Sequence, residues 1–253
     1  MDEQTLFSLM VDLHRDGTRQ GPGSDDETLR ALELTRFDRS STLKIADIGC
    51  GTGASTLTLA KMLPNASITA IDLFPEFLEI LKERASATGC AGKIETRAES
   101  MASLSLSAES YDLLWSEGAI YNMGFSNGIH AWRPFLRSGG MLVVSEITWL
   151  RPDPPKEILE HWSAEYPEIA TAPEKIATLE SAGYDLAGYF VLPSSCWIEN
   201  YYNPTEQRIP GFLERHPDSP AAVQVVELER QEADLYRRYK DDFSYGFYVA
   251  RKR

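Results

Sequence analysis

The sequence has 253 residues, 43% of them hydrophobic, and a formal net charge of −13 at pH 7. This length and hydrophobic content suffice for the core of one α/β domain with a modest cap. The negative charge disfavours nucleic acids and anionic membrane surfaces as partners, since both carry negative phosphates. No apolar run approaches the roughly 20 residues of a membrane helix, and the acidic N-terminus lacks the basic start and apolar run of a secretory signal.

Cysteine and histidine usage predicts a cytoplasmic protein without a metal centre. Cys50, Cys90 and Cys196 are odd in number and have no C-x-x-C spacing, which predicts free thiols in a reducing compartment. The four histidines are too scattered along the chain to suggest a metal site.

The first 40 residues are predicted to contain two helices and a connection between them. Leu6, Leu9 and Leu13 recur at helical spacing. A polar, glycine-rich connection covers 16–23, and Ser24 is a plausible start of a second helix. An ordinary surface turn is the alternative for this connection, because loops of this composition are common.

Strand and helix patterns alternate from 41 to 150, which predicts a parallel sheet covered on both faces. Ligand sites of such sheets lie at the carboxyl ends of the strands. The predicted strands are 44–48, 67–72, 93–97, 111–115 and 141–146, and the predicted helices are 55–63, 74–88 and 127–136. The polar residues predicted to fall at or just past the strand ends are Asp47, Asp72, Ser100, Glu117 and Glu146.

The pattern changes after Trp149, where a proline-rich segment at 151–155 ends the alternation. Helices are predicted at 156–165 and 172–182, and strands at 184–192 and 243–250 are expected to complete the sheet as an antiparallel pair. The long interval between those strands contains a charged helix at about 221–239.

The most informative stretch is the glycine run at Gly49, Gly51 and Gly53, which follows a short apolar strand. Glycine removes the side chain where the backbone turns tightly and touches a ligand. Asp72 ends the next strand, where a βαβ unit places a carboxylate beside a ribose. The sequence therefore predicts a nucleoside cofactor, and a glycine-rich turn without a ligand is the structural alternative. Gly49, Gly51 and Ala54 also satisfy G-x-G-x-x-A, so the glycines alone leave a nicotinamide open.

With Asp47 two residues before the first glycine, the loop reads D-x-G-x-G-x-G. It resembles the signature loop of class I S-adenosylmethionine-dependent methyltransferases. The chain is similar to the ubiquinone/menaquinone biosynthesis C-methyltransferase (UbiE-like) group. It also resembles uncharacterised bacterial small-molecule methyltransferases that share the segments 19–24 and 115–122. The resemblance runs from about Leu6 to Arg253.

The resemblance implies a Rossmann-like α/β fold: a mostly parallel seven-stranded sheet with an antiparallel final strand, helices on both faces and a small helical cap. It implies one domain over 1–253, with the lid at 1–40, the cofactor-binding half at 41–150, and the cap and last strands at 151–253. The implied cofactor is S-adenosyl-L-methionine, and the implied partner is a small-molecule methyl acceptor, with a homodimer as one candidate assembly.

The resemblance also implies roles for particular residues. Asp47 is expected near the methionine end of the cofactor, with Arg19 or Gln20 binding its carboxylate or closing the site. Asp72 is expected to bind the ribose, with Leu73 beside the adenine. Ser100 and Met101 are expected on the adenine side, although relatives often place an acid at the position of Ser100. The helix after Gly53 is expected to present free backbone amides to the methionine moiety.

Three residues are the leading candidates for catalysis. Glu117 is expected near the cofactor sulfur, as a general base, a ligand of the cofactor ammonium or an orienting group, with a solvated loop carboxylate as the alternative. Tyr121, with Asn122, is a candidate substrate contact. Glu146 is a second candidate base or a structural cap. His130 is a weaker candidate base, because a lone helical histidine is more often a packed or surface residue.

The cap is rich in aromatic residues, which either line a pocket for a flat or cationic acceptor or form the core of the cap. They are Trp149, Trp162, Tyr166, Trp197, Tyr201 and Tyr202.

The leading hypothesis is methyl transfer to a small molecule at oxygen, nitrogen or carbon. The alternatives are a non-catalytic S-adenosylmethionine-binding regulatory protein and a nicotinamide-dependent oxidoreductase. The only Tyr-x-x-x-Lys match that would support the oxidoreductase is Tyr236 with Lys240, which is interpreted as a solvated helix face.

Overall fold

The fold of the chain is taken from a computed structural model, which describes residues 3–253. Ten α-helices and eight β-strands are present in this range. The helices are α1 (Glu3–His14), α2 (Asp25–Thr35), α3 (Ala54–Met62), α4 (Pro75–Ala87), α5 (Phe125–Trp132), α6 (Lys156–Glu165), α7 (Ala172–Ser181), α8 (Ser194–Trp197), α9 (Asn203–Arg215) and α10 (Pro220–Tyr239). The strands are β1 (Lys44–Ile48), β2 (Ser67–Asp72), β3 (Ile94–Ala98), β4 (Tyr111–Ser116), β5 (Leu136–Trp149), β6 (Ala170–Thr171), β7 (Tyr184–Val191) and β8 (Phe243–Lys252).

One twisted sheet organises the chain in the order β3-β2-β1-β4-β5-β8-β7. Strands β1 to β5 are parallel, and β8 is antiparallel to both β5 and β7. The predicted mostly parallel seven-stranded sheet with an antiparallel final strand is therefore confirmed. The two-residue β6, which pairs with β5 beside the main path, was not predicted.

The sheet separates two hydrophobic layers, because alternate side chains of each strand point to opposite faces. Ile45 of β1 joins the layer that contains Leu57 of α3, whereas Ala46 joins the layer that contains Ile129 of α5. The predicted helices on both faces are thus present. Strand order reverses between β1 and β4, and ligands of open α/β sheets bind at the carboxyl ends of the strands at such a point.

A third hydrophobic cluster lies outside these layers and joins the two ends of the chain. Leu13 of α1 packs in this cluster with Phe212 of α9 and Val225 of α10. The N-terminal helix therefore packs on the C-terminal cap. None of the described helices is both long and apolar enough to cross a membrane. The three cysteines are free, as predicted.

Several predicted elements differ from the structure. The helix predicted at 127–136 covers Phe125–Trp132, and the strand predicted to begin at 141 begins at Leu136. Strand β5 continues to Trp149 instead of ending at Glu146. The interval after Trp197 contains a π-helical turn and α9 before α10, whereas only the last helix was predicted.

Candidate functional site

The glycine loop between β1 and α3 lies at the strand-order reversal. Gly49, Gly51 and Gly53 all have positive φ, at 75°, 53° and 87°. A side chain at Gly51 would also collide with Oε1 of Gln20, which lies against the loop. The backbone conformation therefore requires glycine at Gly51, and a side chain there would also displace Gln20.

The backbone amides of the loop donate hydrogen bonds within the protein. Gly49 and Cys50 both donate to the carbonyl of Ile71, at 2.8 and 3.0 Å, and Gly53 donates to Cys50 at 2.9 Å. The amide of Thr52 donates to Gln20 Oε1 at 2.7 Å. These amides shape the loop instead of facing a ligand. The first turn of α3 still offers amides without intrahelical acceptors, and Ala54 and Ser55 of that turn line the cavity described below.

Asp72 connects the end of β2 to the glycine loop. Its Oδ2 accepts from the Gly51 amide at 2.8 Å, and its Oδ1 accepts from the Phe74 amide at 3.0 Å. The side chain is 8% exposed, and burial raises the pKa of its carboxyl. Asp72 thus fixes the loop and, because it also lines the cavity, is available to a ligand hydroxyl.

Asp47 lies beneath the loop and is fully buried. Its Oδ2 accepts from Ser55 Oγ at 2.8 Å and Thr56 Oγ1 at 2.6 Å, while its Oδ1 has no hydrogen-bond partner. Burial raises the pKa of Asp47 to about 7. Asp47 is not among the residues that line the cavity, so in this structure it supports the loop and α3 from below.

The segment after α1 covers the loop. Gln20 accepts from the amide and the hydroxyl of Thr52 and donates to the carbonyls of His14 and Gly17. Arg19 donates to Glu117 at 2.9 Å and to Asp25 at 3.0 Å. Gln20 therefore attaches this segment to the glycine loop, and Arg19 attaches it to Glu117 just after β4.

Glu117 has hydrogen-bond donors at both oxygens. Its Oε2 accepts from Arg19, and its Oε1 accepts from Thr28 Oγ1 at 2.7 Å and Trp115 Nε1 at 2.9 Å. Its side chain is 8% exposed. Three donors, one of them a guanidinium, fix the position of this carboxylate. The structure therefore favours an orienting role for Glu117 over a general base.

A cavity of about 430 Å³ lies over the glycine loop. It brings together most of the predicted cofactor residues, namely Arg19, Gln20, Gly49, Gly51, Asp72, Leu73, Ser100, Met101 and Glu117. Asp47 and Gly53 are outside the set of lining residues. The sequence reasoning missed Phe7, Met10 and His14 of α1, which also line it.

The adenine-side candidates lie on the loop after β3. Ser100 and Met101 both line the cavity, and the Met101 carbonyl accepts from Trp132 Nε1 at 3.0 Å. Leu73 is 56% exposed and Phe74 packs against Phe7 with ring centroids 5.0 Å apart. This end of the cavity is therefore apolar.

Glu146 is not at the end of a strand, and its expected position there is wrong. It lies within β5, is fully buried, and pairs with the equally buried Lys175 at 2.8 Å. The alternation of the strand directs Ile147 to the opposite face, where it lines a second cavity. Glu146 lines neither cavity, so its position fits the structural role.

The positions of His130 and Tyr236 bear on two other expectations, the candidate base and the solvated helix face. His130 is exposed on α5 and outside the lining residues, with its Nδ1 at 2.7 Å from the Ser126 carbonyl. Tyr236 is 1% exposed and stacks on Trp197 at 4.4 Å. Its interpretation as part of a solvated helix face is therefore wrong, whereas Lys240 is exposed.

The second cavity, of about 920 Å³, adjoins the first. Tyr121 and Met10 line both cavities and mark where they meet. Of the cap aromatics, Trp162, Tyr166 and Trp197 line the second cavity, while the others belong to the hydrophobic core. No group of three or more potential metal ligands occurs among the described residues.

The sheet order, the glycine loop and the acid at the end of β2 define a class I methyltransferase fold. Residues 45–140 match the family described as "Methyltransferase domain". A solved S-adenosylmethionine-dependent methyltransferase from Geobacter sulfurreducens, in complex with S-adenosyl-L-homocysteine, has a TM-score of 0.82 at 21% identity and covers 98% of both chains. These findings confirm the predicted fold.

Curated relatives match shorter segments. A release factor glutamine methyltransferase from Deinococcus radiodurans is 37% identical over 79 residues, which are 31% of this chain and 28% of the relative. A UbiE C-methyltransferase from Geotalea daltonii is 26% identical over 125 residues, covering 49% of this chain and 53% of that protein. The matched segments span about a quarter of the length of the first two relatives.

Proposed function

We propose that the chain is an enzyme that binds S-adenosyl-L-methionine in the cavity over the glycine loop and transfers its methyl group to a small-molecule acceptor. The observation that carries this proposal is the joining of Gly51 and Asp72 in one cavity at the strand-order reversal. The neighbour from Geobacter sulfurreducens, which holds S-adenosyl-L-homocysteine, supports it.

The residues present fit this cofactor. Asp72 offers carboxylate oxygens to the ribose hydroxyls. The apolar surface of Leu73, Phe74 and Met101 suits the adenine, and the polar first turn of α3 suits the methionine end. A cavity of about 430 Å³ falls within the usual range for small-molecule sites.

Alignment and exclusion of water are the contributions expected of the protein. The cofactor supplies a methyl group on a positively charged sulfur. Arg19 and Glu117 hold the lid closed over the cavity, and Gln20 holds it against the loop. Tyr121 stands at the junction of the two cavities, where an acceptor in the second cavity would meet the first.

Calorimetry with S-adenosyl-L-homocysteine tests the cofactor, and release of that product from S-adenosyl-L-methionine in the presence of a cell extract tests the transfer. Binding with turnover is expected. Binding without turnover in any extract would favour the non-catalytic alternative. A folded sample that binds NADH but not S-adenosyl-L-homocysteine would favour the oxidoreductase.

A further inference from the structure

The second cavity combines aromatic walls with acidic residues from one helix. Its aromatic residues are Tyr121, Trp162, Tyr166, Trp197 and Tyr245. Its volume of about 920 Å³ is sufficient for a drug-sized molecule. Because it meets the cofactor cavity at Tyr121 and Met10, it is the place for an acceptor.

Two of the acids, Glu229 and Glu232, lie one turn apart on α10, so they share a face of the helix. Glu229 is 7% exposed; its Oε1 lies 2.9 Å from His14 Nε2, and its Oε2 has no hydrogen-bond partner. Glu232 accepts from Tyr202 Oη at 2.9 Å. Glu232 is exposed and lines the cavity, so its carboxylate is accessible to a ligand there.

The lining cation does not neutralise this pair. Arg238, which also lines the cavity, forms its ion pair with Glu157 at 2.7 Å. Within the part of the chain that the structure describes, neither Glu229 nor Glu232 forms an ion pair with a lysine or an arginine. Four carboxylates line the cavity, those of Glu165, Glu229, Glu232 and Asp234, against one arginine, so a cationic ligand is attracted to it.

We propose that the second cavity binds the methyl acceptor as a cationic amine, with its ammonium group between Glu229, Glu232 and the aromatic rings. The inference rests on the proposed function, because it names the class of acceptor for the same site. Cations are attracted to the faces of aromatic rings as well as to carboxylates, so both halves of the lining favour the same ligand charge.

Neutral and anionic acceptors fit this lining less well. A neutral aromatic molecule would occupy the walls but would make no use of the charge of the lining carboxylates. An anion would be repelled by two carboxylates at close range. The charge of the ligand is therefore the quantity to test.

Three probes share an indole ring and differ in charge: tryptamine is a cation, tryptophol is neutral and indole-3-acetate is an anion. Each is titrated calorimetrically into the full chain saturated with S-adenosyl-L-homocysteine. We expect tryptamine to bind about tenfold or more tighter than tryptophol, and indole-3-acetate to bind weakest. Equal or tighter binding of tryptophol or indole-3-acetate, or no binding of tryptamine, overturns the proposal.

Substitutions test whether Glu229 and Glu232 cause the preference for the cationic probe. Glu232→Gln keeps the shape of the side chain and is expected to reduce the tryptamine-to-tryptophol affinity ratio at least about threefold, and Glu229→Gln provides a second variant. Glu227→Gln, on an exposed position of the same helix outside the cavity, is the matched control and should keep the ratio. A ratio that is unchanged in both folded variants contradicts the proposed site.

Binding of S-adenosyl-L-homocysteine, measured separately, distinguishes failure of this inference from failure of the proposed function. Normal binding of S-adenosyl-L-homocysteine with no preference for the cationic probe overturns only the acceptor class. No binding of S-adenosyl-L-homocysteine by the folded chain overturns the proposed function itself.

Discussion

At the scale of single residues, Asp72 links the shape of the glycine loop to the proposed ribose contact. Asp72→Ala removes the acceptor of the Gly51 amide and, in our proposal, the acceptor of the ribose hydroxyls. Loss of hydrogen bonds to a charged group is worth about 1.5–3 kcal/mol. We expect S-adenosyl-L-homocysteine to bind about 10- to 150-fold more weakly by calorimetry. Glu79→Ala, an exposed carboxylate on the following helix, is the control; equal affinities of the two variants would remove the ribose assignment.

Gly51 tests the conformational requirement of the loop. Gly51→Ala forces a side chain into a left-handed backbone conformation and against Gln20, at a cost of about 1–3 kcal/mol. We expect a lower melting temperature and weaker cofactor binding. Gly92→Ala adds a methyl group at a position with open space and without a positive φ. Similar melting temperatures for the two variants would contradict the role given to Gly51.

The sequence predicted those site residues that lie close to one another along the chain. The glycine loop and Asp72 are separated by one βαβ unit, so their spacing alone brings them together. Thr28 meets Glu117 across 89 positions, and His14 meets Glu229 across 215. No periodicity in either segment encodes such pairs. The sequence therefore left the role of Glu117 open between a base, a ligand of the cofactor ammonium, an orienting group and a solvated carboxylate, and it did not single out His14.

At the scale of elements, the Arg19–Glu117 pair joins the proposed lid, residues 15–24, to the end of β4, and its side chains are 11% and 8% exposed. Glu117→Gln removes the charge that holds Arg19 while keeping the side-chain shape. A hydrogen bond to a charged group is worth about 1.5–3 kcal/mol, so amide hydrogen exchange in a peptide covering 15–24 should become about 10- to 150-fold faster. Exchange mass spectrometry measures this effect.

The control for the lid is Glu33→Gln, which removes an exposed carboxylate of α2 that pairs with Arg39 at 3.5 Å. It should leave exchange in 15–24 unchanged. Slow exchange retained in Glu117→Gln would mean that Gln20 and its contacts to Thr52 are sufficient to hold the lid.

Elements with strong patterns were predicted well, and element ends were not. The parallel strands follow from buried apolar runs between helices. The sequence predicts the end of β5 at Glu146, a charged residue. Glu146 lies inside the strand because the buried Lys175 of α7 compensates its charge, and this partner is not evident from the local sequence. Similarly, α9 contains Pro210 inside the helix and begins in a π-helical turn. Helix-breaking residues argue against such an element until its packing partners are known.

At the scale of the whole molecule, the two ends of the chain form one wall of the candidate site. Helix α1 packs with α9 and α10 and also contributes Met10 and His14 to the cofactor cavity. His14 in turn contacts Glu229, which lines the second cavity. The cavities are therefore built from segments that meet only in the folded chain, which is why the sequence left the role of the cap aromatics open.

Asp47 connects this site to the stability of the whole fold. In the unfolded chain its carboxyl has a pKa near the ordinary value of about 4, whereas burial raises the folded pKa to about 7. Between these values the folded state holds a proton that the unfolded state releases. Stability contributed by this group is therefore full at low pH and is lost as pH rises toward 7, by up to about 1.4 kcal/mol per pH unit.

Urea denaturation at several pH values measures this contribution as the difference between two proteins. Asp47→Asn keeps an oxygen for Ser55 and Thr56 but does not titrate, so its stability relative to the original chain should increase from pH 4 to 7 and level off above. Asp26→Asn, on an exposed position of α2, should follow the original chain at every pH. A constant difference between Asp47→Asn and the original chain would show that Asp47 is already charged in the folded state. In that case the unpaired Oδ1 would have a donor in solution, and the loop would rest on a buried anion instead of a protonated acid.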